Sequence, residues 1–121
     1  MSNEITVTGA LKASKNSVEI NVQHALKQFD MSGGDMLHRT QIIGSTEEAV
    51  NLGEIGTPGW AMFYNRGPTD TISLRAATGA ADFCKMAPGE FAGPFKFAAA
   101  APFAISSSTS SPVLESWIAE A

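Results

Sequence analysis

The residues of this chain that could do chemistry are few and scattered. His24 and His38 are its two histidines, 14 positions apart on separate predicted strands, without a His-x-His or HExxH spacing. With a carboxylate they could hold a metal only if the fold brought them together; a surface or strand-paired histidine is the ordinary state. Cys84 has only Lys85 as a basic neighbour and no predicted helix N-terminus to lower its pKa, so it reads as a small apolar residue. Alternation sets it on one face with Asp82, which points to partial exposure. Gly53, Gly56 and Gly59 recur at every third position, but no helix follows to hold a phosphate. Asp35, Glu47, Glu48 and Glu54 lack the spacing of a calcium loop and read as solvated loop acids. No catalytic, cofactor-binding or metal-ligating set emerges.

The remaining chemistry is recognition. Trp60, Tyr64 and Arg66 are residue types that anchor protein interfaces or stack on sugars. Trp60 and Phe63 are assigned to the core; Tyr64 and Arg66, at the turn end of their strand, are the interface candidates.

These residues sit in the stretch that best declares the architecture, residues 51–74. Gly53, Gly56, Pro58 and Gly59 break regular structure four times in seven positions. The apolar run 60–64 is too short for a helix and reads as a strand buried on both sides. Residues 65–70 read as a turn, and 71–75 alternate as a second strand, so the expectation is a hairpin. Upstream, Ile5 and Val7 share a face of a first strand that Gly9 interrupts. Residues 14–17 read as a turn. Val18, Ile20 and Val22 mark a half-buried strand whose phase is lost at Phe29.

A glycine loop at 31–35 precedes a poorly alternating strand at 36–43, and Ser45 or Thr46 before Glu47 and Glu48 could cap one helical turn. Downstream, 83–86 is a short strand and 87–90 has the residue choice of a type II turn. Residues 91–98 form a strand that Gly93-Pro94 marks as bulged or edge. The alanine run at 98–101 is stopped by Pro102, and 106–111 is a low-complexity serine loop. Residues 113–119 close the chain as a strand, with Val113, Glu115 and Trp117 on one side. About eight short strands without a 3.6-residue pattern predict an all-β, antiparallel β-sandwich, jelly-roll-like, as a single domain over 1–121.

Composition narrows the partners. The net charge is −4 and Lys and Arg do not cluster, which speaks against nucleic acid and against an anionic membrane. Charged residues are 17%, below the usual ~25%, and 21 Ser and Thr supply much of the polar surface. One cysteine allows no internal disulfide. The start MSNEITVTG shows no apolar leader, so the expectation is a protein made in the cytoplasm without a secretory signal.

The runs NLGEIGTPGWAMFYNRG, KMAPGEFAGPFKF and AAPFAI and the final VLESWIAEA resemble small virion proteins of tailed bacteriophages, over about the C-terminal 70 residues. That resemblance implies a β-sandwich or jelly roll that decorates or cements a capsid, with no catalytic residues or cofactor. It further implies a homo-oligomer (trimer or dimer), with the major capsid protein as partner and the virion surface as location. Two other readings compete: a tail, fibre or carbohydrate-binding sandwich using Trp60 or Tyr64, and a cupin-like metalloenzyme using His24 and His38. The closely spaced histidine pair of that enzyme type is missing here.

Overall fold

The computed structural model describes residues 5–31, 34–97, 102–107 and 112–120. Residues 32–33 of the glycine loop, the alanine run 98–101 and residues 108–111 of the serine loop lie outside them. The chain divides into two compact units, Met1–Met31 and Ser32–Ala121, a boundary that falls in the sequence of the glycine loop at 31–35. Among the described residues there are ten strands, more than the expected eight or so, and no helix. The helical turn expected after Ser45 is replaced by a bend and the two-residue strand β4 (Glu48–Ala49).

The first unit is one antiparallel ribbon of β1 (Ile5–Lys15) and β2 (Val18–Phe29). Its tip, Asn16-Ser17, has φ of 52° and 66°, the positive pair of a type I′ turn, whose twist matches that of the flanking strands. The register runs from Lys15↔Val18 through Leu11↔Val22 to Gly9↔His24 and then jumps to Val7↔Lys27 and Ile5↔Phe29. Two steps along β1 face three along β2, so β2 carries a bulge. The bulge resolves the phase break at Phe29: it returns Phe29 to the face of Ile5, Val7, Leu11, Val18, Ile20 and Val22. Thr6, Lys12, Ser14, Glu19, Asn21 and Gln28 take the other face.

The expected half-burial does not occur. Leu11 is 62% exposed, Val18 67%, Ile20 47% and Val22 44%. A two-stranded ribbon is a single layer, so alternation can sort its faces without covering either.

The second unit is a sandwich. One antiparallel sheet has the order β3 (Met36–Ile42), β10 (Val113–Glu120), β5 (Pro58–Asn65), β8 (Phe91–Lys96). The other has β4, β9 (Phe103–Ser106), β6 (Ile72–Arg75), β7 (Asp82–Met86). The pairing is nested: β3 with β10, β4 with β9, β5 with β8, β6 with β7. Between the sheets lie Phe63, Ile72, Leu74, Met86, Leu114 and Ile118, all essentially buried.

Strands β5 and β6 therefore do not form the expected hairpin; each belongs to a different sheet. The link between them is a corner. Asn65 is buried there, its Nδ2 donating to the carbonyls of Asp70 (2.7 Å) and Met86 (2.8 Å) while its Oδ1 accepts from Gly67 N–H (2.8 Å). Gly67 must be glycine, because a Cβ would sit 2.4 Å from Pro112 Cβ. Both punctuation readings downstream hold. Gly89 has φ 82° and Glu90 N–H donates to Ala87 carbonyl at 3.0 Å, as a type II turn requires. Gly93 lies in an edge strand beside a register shift.

Candidate protein-interaction face

Strand parity builds the site. On β10, Leu114, Ser116 and Ile118 point inward, which leaves Val113, Glu115 and Trp117 on the outer face of their sheet. On β5, Ala61, Phe63 and Asn65 point inward, and Trp60, Met62 and Tyr64 join that outer face. Register aligns the two strands with their neighbours in rows, His38–Trp117–Met62 and Thr40–Glu115–Tyr64–Phe91. The result is an aromatic, thioether-rich surface. Met36 (68%), Phe91 (64%) and Ile42 (64%) are its most exposed members. Two apolar depressions flank Trp117. One, of about 380 Å3, is lined by Met62, Tyr64, Phe91 and Trp117; the other, of about 480 Å3, extends over Met36 and His38.

One buried charge is set into this surface. The Glu115 side chain is only 11% exposed. His38 Nε2 stands 2.5 Å from its Oε2 and Arg66 Nη1 donates to its Oε1 at 3.3 Å. The His38 ring stacks on Trp117, with centroids 4.9 Å apart and planes 14° apart. A carboxylate engaged at both oxygens, under a stacked ring, is arranged to hold side chains still. An uncompensated carboxylate here would be costly to desolvate when the face is covered; the Arg66 and His38 contacts lower that cost.

The residues singled out from sequence are dispersed. His24 lies on the ribbon opposite Gly9, and His38 on β3 beside Glu115. Among the described residues no group of three His, Cys, Asp or Glu could hold a metal. Cys84 is half-buried on β7, and burial, with the negative charge of Glu90, pushes its thiol pKa up, away from a reactive thiolate. Asp82 is paired with Arg75 Nε at 2.6 Å.

The glycine-loop amide of Gly56 meets an anion after all, but the chain provides it. Glu120 Oε2 accepts from Gly56 N–H at 3.0 Å, and its Oε1 accepts from Gly34 and Asp35 N–H at 2.9 and 3.3 Å. These amides, Gly56 first, hold the Glu120 carboxyl below the usual carboxylate range.

Two of the acids read as solvated are structural ties. Glu47 accepts from Thr78 Oγ1 (2.6 Å), Arg75 Nη1 (2.8 Å) and Gly79 N–H (3.1 Å), and its pKa is lowered, Thr78 contributing most. Glu48 accepts from Gln41 Nε2 at 2.9 Å.

Tyr64 lies on the outer sheet face opposite Glu115, and Arg66, just past the end of β5, donates to that carboxylate. Trp60 does not reach the core; it is half-buried on the outer face, because parity opposes it to Phe63. Sequence reasoning missed His38, Phe91 and Trp117 as members of this surface. Part of the signal was present, since alternation had already put Glu115 and Trp117 on one side of the last strand. Comparison with family models, with curated proteins and with solved structures gives no significant match. Among the described residues no helix is long and apolar enough to cross a membrane.

Proposed function

We propose that this chain is a bacteriophage capsid decoration protein, a cement that binds the outer surface of the shell and bridges subunits of the major capsid protein without enzymatic activity. The observation that carries the reading is the sheet face around Trp117. It is broad and rich in exposed aromatic and methionine side chains, with its buried carboxylate Glu115 paired to His38 and Arg66, as a surface for gripping protein should be. The nested strand pairing supports the finer fold reading, since a jelly roll is two four-stranded sheets wound in that way. Low charge and many Ser and Thr residues suit a contact made without strong fields. Bridging also calls for more than one grip per particle, which a homo-oligomer provides.

The test is on particles. The protein should co-purify with virions, and shells lacking it should break at lower temperature or milder osmotic shock. Equal robustness without it would remove the cement role.

A second reading, a tail or fibre component that binds carbohydrate, draws on the row of Trp117, Tyr64 and Phe91, whose ring faces could stack on sugars. The depression between them is lined by Met62 and the rings of Tyr64, Phe91 and Trp117, with polar groups only at the Tyr64 hydroxyl and the Trp117 N–H, which suits an inserted apolar side chain better than a hydroxylated ring. Glycan-array binding that disappears in Tyr64→Ala would favour the sugar.

A further inference from the structure

We infer that two copies of this chain exchange ribbons: the apolar face of β1–β2 in each copy lies on the aromatic sheet face of the other. The inference rests on reading that sheet face as a protein contact.

Each unit carries one apolar face of its own that needs cover. On the ribbon it is the side of Ile5, Val7, Leu11, Val18, Ile20 and Val22. On the sandwich it is the surface of Met36, Met62, Phe91 and Trp117.

Charge decides against ribbon on ribbon. The ribbon's apolar face holds Lys15 near the tip and Lys27 near the base, and its one described strand acid, Glu19, is on the opposite side. Antiparallel stacking of two such faces brings Lys15 towards the partner copy's Lys27; parallel stacking brings each lysine towards its own counterpart. Both oppose like charges. The sandwich is the acidic part. Residues 32–121 hold five Lys and Arg against nine Asp and Glu, a net of −4, whereas residues 1–31 hold three of each. The exposed acids Asp35 and Glu90 stand next to Met36 and Phe91 at the margins of the sheet face, whose described cations are Arg66, paired to Glu115, and Lys96, across from Trp60.

Area points to reciprocity. A strand of 11 residues at ~3.3 Å each is ~36 Å long, and two strands are ~10 Å wide, so the ribbon face covers roughly 400 Å2. Four strands ~4.8 Å apart over the seven residues of β3 give the sheet face about the same. One such contact buries roughly 800 Å2 in total, the scale of weak contacts; two in a closed pair bury roughly 1,600 Å2, the size of a stable interface. Exchange between two copies is thus the arrangement in which each face is matched in size and the total suffices.

The test uses the full-length protein alone, in light scattering and sedimentation at ~0.15 M salt, near physiological ionic strength. The wild type should be a dimer. Val22→Asp on the ribbon and Phe91→Asp on the sheet change exposed residues and should each weaken dimerisation about 30-fold or more, a hot-spot loss, with unchanged circular dichroism. Mixing the two variants should restore part of the association, because the Phe91→Asp ribbon can dock on the intact Val22→Asp sheet while the second contact stays broken. Trp117 fluorescence of the wild type should shift red on dilution through the dissociation range. A monomeric wild type, or Phe91→Asp dimers as tight as wild type, would overturn the exchange. Neither result bears on co-purification with virions, which tests the cement reading separately.

Discussion

At the scale of single residues, two positions show how backbone conformation and buried polarity govern this chain. Ser17 sits at φ 66° in the type I′ tip, where a Cβ is disfavoured. Ser17→Gly should stabilise the ribbon by about 1 kcal/mol and slow amide exchange across β1 and β2; unchanged exchange would mean that the tip does not limit ribbon opening. Asn65 is the opposite case, a polar side chain with 0% exposure and all its bonds made. Asn65→Ala would remove three hydrogen bonds at the buried corner and should cost about 2–3 kcal/mol in urea unfolding. The sequence placed Asn65 in a turn and gave it no further role. Nothing local distinguishes a turn asparagine exposed to water from one that ties two sheets together, because its partners Asp70 and Met86 lie 5 and 21 positions on.

At the scale of elements, carboxylates fasten loops to strands. Glu47 ties the 78–79 turn to Arg75, and Glu120 ties the end of β10 to the amides of Gly34, Asp35 and Gly56. Both have folded pKa values below the ordinary carboxylate value. Their contribution is therefore complete above the ordinary range and is lost as pH falls through the folded values. The urea midpoint should drop on acidification below the usual carboxylate range, and Glu120→Gln should flatten that drop. An equally steep fall in the variant would show that Glu120 is not among the responsible groups. Strand alternation revealed these elements well: β2, β8 and β10 lie close to where their patterns put them. Alternation could not reveal which strand pairs with which. Residues 60–64 and 71–75 read as a hairpin because they are adjacent and joined by turn residues. Yet the same turn chemistry serves a link that crosses between sheets.

At the scale of the whole molecule, the sandwich depends on one packed interior and the ribbon has none. Phe63 is 0% exposed and meets Phe97 edge-on at 6.1 Å. Phe63→Ala should lower the unfolding free energy of the sandwich by about 3–5 kcal/mol, read as a shift in the urea midpoint; a change under about 1 kcal/mol would contradict a tightly packed core. The contrast between units also explains the one large misreading of burial. Val18, Ile20 and Val22 carry the same period-2 pattern as any half-buried strand. Pattern reports which residues share a face. Whether that face is covered depends on a second layer, and the ribbon unit has only one.

By itself, then, the order of residues determined an all-β chain, its punctuation at Gly89 and Gly93 and the apolar parity of its strands. Those properties are local: they follow from backbone sterics and from side chains alternating along one strand. The tertiary structure alone decided the nested pairing, the burial of Asn65, the capture of loop amides by Glu120 and the gathering of His38, Tyr64, Phe91, Glu115 and Trp117 on one face. Each of these joins residues distant in sequence, and such contacts are set by the free energy of the assembled layers, which no single segment contains.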